Sequence, residues 1–215
     1  MIAKNSLQFQ AYNAIKEKIL CKELEPDVLY SETRMAKELG ISRTPMREAL
    51  QCLSQDGYIT IIPSRGFQIC QLNEDSMRES IQIRCAIEGF CVHYIVSQTS
   101  KKHCQKLIRD LEKSLERQQK ALTAPDFPRS FIEEDHQFHL MLVHYVENQE
   151  FNHLFQRLMY MIHLTTSNAL SITGRAKATY DEHQELVRCL KAEDGNGAYQ
   201  ILIAHLLMPL NMNIV

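Results

Sequence analysis

The feature that most constrains this fold is a pair of short amphipathic segments joined by a glycine, residues 35–39 and 43–53. Apolar residues recur at helical spacing in both segments, so each has one face that packs inward. They are Met35, Ala36, Leu39, Met46, Ala49, Leu50 and Leu53. Gly40 lies between the segments, where a residue with positive φ readily ends a helix. The pattern predicts a helix-turn-helix.

Polar residues cluster at the N-terminal end of the second segment. They are Arg43, Thr44 and Arg47. In a helix-turn-helix this end of the second helix enters the major groove of DNA, where arginine recognises guanine O6 and N7 with two hydrogen bonds. Spacing alone leaves a second interpretation open, a surface helix with two solvated arginines.

The residues that follow favour the DNA-binding interpretation. Residues 58–62 are β-branched or aromatic and predict a strand, residues 63–66 are typical of a turn, and residues 67–70 predict a second strand. A hairpin with Arg65 at its tip, placed after a helix-turn-helix, is the wing of a winged helix-turn-helix.

These motifs resemble the DNA-binding domain of the GntR superfamily of bacterial transcription regulators, over about residues 10–71. The resemblance rests on Ser31-Glu32, the run from Met35 to Leu50, Asp56-Gly57-Tyr58 and Pro63-Ser64-Arg65-Gly66-Phe67. It implies that Arg43, Thr44 and Arg47 contact bases or adjacent phosphates, and that Arg65 and Gly66 reach the minor groove. The family usually has arginine after Ser-Glu. Thr33 stands there, and Arg34, displaced by about 100° around the helix, is the candidate replacement.

The rest of the chain is predicted to be helical. Polar residues 73–76 mark a linker between a winged domain, residues 1–72, and a second domain, residues 77–215. Helical periodicity then predicts roughly six helices, with boundaries near residues 77–95, 101–122, 131–146, 151–171, 180–192 and 195–207. The predicted fold class is therefore mainly α, with an N-terminal winged helix-turn-helix followed by an all-α helical bundle.

Four residues with metal-binding side chains are predicted to point into this bundle. Asp135 and His139 are four residues apart on one helix, whereas His183 and His205 lie on the apolar stripes of two others. Burying these groups without partners is costly, and a divalent metal removes that cost. Imidazole and carboxylate suit zinc, nickel, iron or manganese. A hydrogen-bonded polar core remains the alternative.

Residues 77–209 resemble the FCD ligand-binding domain of the FadR-type branch of the same superfamily. The motifs are Arg84-x-x-x-Glu88, Asp135-x-x-Phe138-His139, Asn148, Glu182-His183 and His205. The resemblance implies that Asp135, His139, His183 and His205 hold a divalent metal with positions free for water or the carboxylate of a small organic acid. Arg84 has two interpretations, an effector-binding guanidinium in the pocket or a surface ion pair with Glu88.

Composition sets the remaining limits. The 215 residues carry a net charge of −2, so DNA binding is argued from local placement and not from bulk charge. No apolar run is long enough to span a membrane and no signal peptide is evident. Seven scattered cysteines fit reduced thiols, and we therefore expect a cytoplasmic protein.

The sequence thus predicts a ligand-responsive DNA-binding transcription regulator that acts as a repressor and not as an enzyme. Its expected partners are a second copy of the chain, double-stranded operator DNA with two-fold symmetry, and a small carboxylate effector. Two other interpretations remain. The metal itself could be the signal, or the helical domain could be a metalloenzyme fused to a DNA-binding domain.

Overall fold

The computed structural model describes residues 6–71 and 73–212. It is mainly α-helical, as predicted, and contains within those ranges nine helices and one two-stranded sheet. The chain falls into two compact units. The first contains the residues up to Gln71 and the short segment Arg157–Tyr160; the second contains the remainder. None of the described helices has the length and apolarity needed to cross a membrane.

The first unit is a winged helix-turn-helix. Its elements are α1 (Leu7–Leu20), α2 (Glu32–Glu38), α3 (Arg43–Gln55), β1 (Ile59–Ile62) and β2 (Gly66–Ile69). The apolar residues of both predicted helices are buried, apart from half-buried Leu39, and α3 packs against both α1 and α2. Gly40 has φ +66°, the left-handed conformation that ends α2 and turns the chain into α3.

The wing is an antiparallel hairpin that pairs Ile59 with Ile69 and Ile62 with Gly66. Gly66 has φ +136°, and a Cβ atom there would lie 2.0 Å from the backbone oxygen of Tyr30. This close approach lets Tyr30 pair with Phe67 and fixes the hairpin to the segment before α2. Only glycine fits the base of the wing tip.

The second unit is a bundle of six helices. They are α4 (Glu74–Val96), α5 (Lys102–Ala121), α6 (Arg129–Tyr145), α7 (Gln149–Leu170), α8 (Arg175–Lys191) and α9 (Gly195–Asn211). The apolar stripes of α4, α5, α6, α8 and α9 meet in a core that includes Val92, Leu111, Phe138, Leu190 and Leu202. Because polar residues on α4, α5, α6, α8 and α9 share these stripes, the same packing carries them inward.

In the helical unit, three helix boundaries differ from the sequence prediction by three residues or more. Residues 74–76, assigned to the linker, form the first turn of α4, because Asn73 and Ser76 make a reciprocal capping box. Helix α8 begins at Arg175 and not near Tyr180, directly after Gly174 with φ +83°. Helix α9 continues through a buried Pro209 to Asn211. Residues 1–5, 72 and 213–215 of the predicted domains lie outside the described residues.

Candidate functional site

Three helices of the second unit bring four metal-binding side chains together. Asp135 and His139 lie one turn apart on α6, His183 lies on α8 and His205 on α9. One ligand atom from each lies within 4.8 Å of the others. His139, His183 and Asp135 are at most 2% exposed. The site is therefore a cluster of three imidazoles and one carboxylate that is largely buried from solvent.

Each histidine is oriented by an oxygen acceptor behind its ring. The Nδ1 atoms of His139, His183 and His205 lie 2.5, 2.8 and 2.7 Å from oxygens of Glu88, Gln118 and Glu182, respectively. Because carboxylate and amide oxygens only accept, these contacts place the ring proton on Nδ1 and leave a lone pair on each Nε2. A histidine that ligates a metal usually donates its other ring N–H to an acceptor in this way.

The atoms of the four residues that face one another are poorly satisfied by hydrogen bonds within the protein. The Nε2 atoms of His139 and His205 are 3.2 Å apart, with lone pairs that face each other. His183 Nε2 and Asp135 Oδ1 are 3.8 Å apart, and both are buried with no hydrogen-bond partner. Leaving such atoms unpaired is costly. One divalent cation would satisfy all four at once, so the residues fit a metal with nitrogen and oxygen ligands.

The electrostatics of the cluster agree with this fit. Burial lowers the pKa of His139 well below its usual value, and the nearby guanidinium of Arg84 lowers it further. Burial also lowers the pKa of His183, so both rings are neutral, as metal binding requires. Burial raises the pKa of Asp135, and the neighbouring Glu88 adds to the rise while Arg84 and Arg175 oppose it. A cation bound to the carboxylate would favour its ionised form.

Arg84 lies beside this cluster in a buried ion pair. Its Nε donates to Glu88 Oε1 at 2.7 Å, and both side chains are buried. The i,i+4 pair foreseen from the sequence therefore exists, but it is not on the surface. Glu88 also accepts from His139, so the pair connects Arg84 to the cluster. Arg84 Nη2 remains without a hydrogen-bond partner and the residue lines a cavity next to Asp135.

A second buried arginine was not predicted. Arg175, at the start of α8, donates twice to Glu182, at 2.6 Å in each contact, and Glu182 accepts from His205. Burial alone would raise the pKa of Glu182, but the hydrogen bonds from His205 and Arg175 lower it to about 2. The carboxylate thus stays ionised and holds His205 in place.

The candidate DNA-binding side chains lie on the surface of the first unit. Arg43 and Thr44 form the exposed first turn of α3, and Arg47 follows one turn later. Arg34 is exposed on α2, and exposed Arg65 directly precedes the glycine at the wing tip. They lie on the elements that contact DNA in a winged helix-turn-helix.

One contact within this surface was not foreseen. Arg47 Nε donates to Glu32 at 2.7 Å, so α2 orients a side chain of α3. The sequence offers the signal only weakly, because the two residues are fifteen positions apart and belong to different helices.

Comparison with known proteins agrees with both halves of this description. Residues 7–69 match the family of bacterial regulatory proteins, gntR family, and residues 79–207 match the FCD domain. An uncharacterised HTH-type transcriptional regulator of Bacillus subtilis, YdhC, is 29% identical over 198 residues, covering 91% of this chain and 86% of the relative. The HTH-type transcriptional repressor RspR of Escherichia coli is 23% identical over 197 residues, which cover 92% of this chain and 84% of RspR.

A solved structure shares the fold. The GntR transcriptional regulator from Rhodococcus sp. RHA1 superimposes with a TM-score of 0.76 at 17% identity, and 96% of each chain is covered. The two family matches together identify a DNA-binding transcription regulator. The chain belongs to the GntR family of bacterial transcription regulators, in the group that carries an FCD domain.

Proposed function

We propose that this regulator is a repressor whose helical domain holds a divalent metal and senses a small carboxylate. The observation that carries the proposal is the convergence of Asp135, His139, His183 and His205, whose ligand atoms lie within 4.8 Å of one another. Asp135 Oδ1 and His183 Nε2 are buried with no hydrogen-bond partner, and each histidine has an acceptor behind its ring. A divalent ion held there would offer its remaining coordination positions to water or to a carboxylate oxygen. Its identity among zinc, nickel, iron and manganese is left to experiment.

Arg84 is the proposed second anchor of the effector. Glu88 accepts a hydrogen bond from Nε of Arg84. The Nη2 group of Arg84 has no hydrogen-bond partner, and the residue lines the cavity beside Asp135. A guanidinium with an unused donor attracts a carboxylate oxygen strongly in a buried site. The ion pair with Glu88 and effector binding are therefore compatible roles of one side chain.

The proposed DNA-binding unit acts as half of a two-fold symmetric dimer. Arg43, Thr44 and Arg47 would contact base edges or phosphates in the major groove, while Arg65 and Gly66 would bring the wing to the minor groove. Arg34 on α2 would supply a phosphate contact. Since these groups serve one half-site, two copies of the chain would bind operator DNA with two-fold symmetry, in the bacterial cytoplasm.

Effector binding would release the operator by favouring a dimer geometry that no longer matches the half-sites. This requires that the acid binds one of two dimer states more tightly than the other. The test measures binding of the metal-loaded full chain to an operator selected from random duplexes, with and without small carboxylic acids. We expect an acid that saturates the pocket to weaken operator binding at least tenfold. Unchanged affinity under saturation contradicts the proposal.

A metal-sensing function is the second candidate, supported by how deeply the ligands are buried in the bundle core. Folding of this core would then depend on the ion. The same assay separates the two candidates. Reversible loss of operator binding when metal alone is added to the metal-free chain supports a metal sensor, whereas a requirement for an organic acid supports the effector mechanism.

A further inference from the structure

One of the three acceptors behind the histidines differs in chemistry from the other two. Glu88 and Glu182 are carboxylates, whose oxygens can only accept a hydrogen bond, so they hold the ring protons of His139 and His205 on Nδ1. Gln118 is a neutral amide, which carries an NH2 group beside its oxygen. The acceptor behind the third histidine can therefore also become a donor.

The surroundings of Gln118 accommodate both orientations of its amide. The side chain lies between His183 and Ser114, and none of the three residues is more than 1% exposed. Its Oε1 atom lies 2.8 Å from His183 Nδ1, and its Nε2 atom lies 3.5 Å from Ser114 Oγ. A half-turn of the amide exchanges these two groups, and the serine hydroxyl satisfies either one because it both donates and accepts. In the turned orientation the NH2 group donates to His183 Nδ1, which then carries a lone pair.

The other side of the His183 ring has a matching acceptor. His183 Nε2 and Asp135 Oδ1 are 3.8 Å apart, and both are buried without a hydrogen-bond partner. A proton on Nε2 would donate to this oxygen after a shift of about 1 Å, since N–H···O distances are normally about 2.7–3.2 Å. The ring of Phe138 stacks on that of His183, with centroids 4.3 Å apart and planes at 11°. This stacking fixes the plane in which both ring nitrogens lie.

We infer that Gln118 is a positioning residue that lets His183 exchange between two tautomers as a divalent ion is bound and released. In the ion-bound state Gln118 accepts from Nδ1–H, and the Nε2 lone pair faces the ion. In the ion-free state the amide turns and donates to Nδ1, while Nε2–H donates to Asp135. One N–H bond is broken at Nδ1 and one is formed at Nε2, so the ring carries one proton in both states and its charge is unchanged. Two atoms that would otherwise be buried and unpaired are thereby hydrogen-bonded, which lowers the cost of releasing the ion.

The inference rests on the proposed function, because it describes how the same cluster takes up and releases its ion. It adds that the three histidines are not equivalent. Carboxylates fix His139 and His205 in the tautomer that binds metal, whereas the amide behind His183 serves either tautomer. A carboxylate in place of Gln118 would hold all three rings in the ligating tautomer, whether or not an ion is bound.

The test determines the histidine tautomers by NMR in the full chain that carries isotope-labelled histidine. Spectra are recorded with chelator and again after zinc is added, and the His183 signals are identified by their absence from His183→Ala. We expect the proton of His183 on Nε2 with chelator and on Nδ1 with zinc. His139 and His205 should carry a proton on Nδ1 in both spectra, which makes them internal controls.

Two variants of similar side-chain size alter the amide in opposite ways. Gln118→Glu supplies an acceptor alone, so the proton of His183 should stay on Nδ1 even with chelator, and zinc affinity should rise by about tenfold. Gln118→Met offers at most a weak acceptor, so the proton should lie on Nε2 with chelator, and zinc affinity should fall by about tenfold. Gln119→Glu is the control, because Gln119 is exposed one position further along α5. It should match the wild type in both measurements.

Two results would overturn the inference while zinc still binds, and would leave the proposed function intact. The first is a proton on Nδ1 of His183 in the wild type with chelator. The second is a proton on Nε2 in Gln118→Glu with chelator, because the amide would then not be what permits the exchange. If Gln118→Glu does not fold, the wild type and Gln118→Met still decide between the two tautomers. If zinc binds to neither the wild type nor Gln119→Glu, the metal-dependent function itself fails, together with this inference.

Discussion

The two units of this regulator place their functional side chains in opposite environments. The winged unit presents Arg34, Arg43, Arg47 and Arg65 on its surface, close together in sequence and around a short local motif. The helical unit buries Asp135, His139, His183 and His205, which come from three helices. The exposed arginines proposed to bind DNA are not part of the core, whereas the buried polar cluster is. Mutations should therefore separate binding from stability in the first unit and couple them in the second.

The largest effect should come from Glu88→Ala in the helical unit. This change leaves buried Arg84 without its counter-charge and removes the acceptor behind His139. Loss of one partner of a buried ion pair typically destabilises a protein by about 3–5 kcal/mol. Urea unfolding in the presence of chelator measures the effect without a contribution from metal.

The matched control for Glu88→Ala is Glu112→Ala, which removes an exposed ion pair with Lys191. We expect the control to unfold at the urea concentration of the wild type, because exposed ion pairs contribute little. If both variants unfold at the same concentration, the polar cluster is not part of the core and the contrast between the units fails.

A smaller effect, on binding alone, is expected for Arg47→Ala in the winged unit. Loss of a base contact should weaken operator binding by about 1–3 kcal/mol and relax specificity at one base pair. The urea midpoint should stay unchanged because Arg47 is exposed. Binding to the operator and to single-base variants is measured by fluorescence anisotropy.

Arg43→Ala should behave in the same way at another base pair. Equal weakening on every DNA sequence would assign these arginines to phosphates.

The smallest effect should come from Glu32→Ala, which frees Arg47 from its orienting partner. The pair is solvent-exposed, and such pairs contribute about 0–1 kcal/mol. We expect operator affinity to change by less than about 1 kcal/mol, while discrimination at the base pair read by Arg47 decreases. The same anisotropy series checks this. A loss as large as that of Arg47→Ala would indicate that Glu32 itself contributes to the DNA interface.

The same contrast explains what the sequence could predict. The winged unit follows from local signals, since helix periodicity, a glycine turn and two β-branched runs lie within one continuous segment. Helical spacing also indicated that the three histidines point inward. Their convergence, however, depends on how α6, α8 and α9 pack, which spacing does not determine. Family resemblance supplied that step.

The supporting residues were harder to recognise. Arg175 was missed because α8 was expected to begin near Tyr180, which placed the arginine in a loop. Gln118 lies on the buried stripe of α5 with Leu107, Leu111 and Ser114. A glutamine at an apolar position was therefore the available signal. Its partner, His183, is 65 positions away, so no local pattern connects them.

The most direct test of the central claim is the metal content of the purified protein. Wild type is compared with His183→Ala and with the control His153→Ala, which removes an exposed histidine outside the cluster. We expect about one divalent ion per chain in the wild type and the control, and loss of the ion in His183→Ala. Absence of metal from wild type prepared without chelator would contradict the account, and the four residues would then form a polar core.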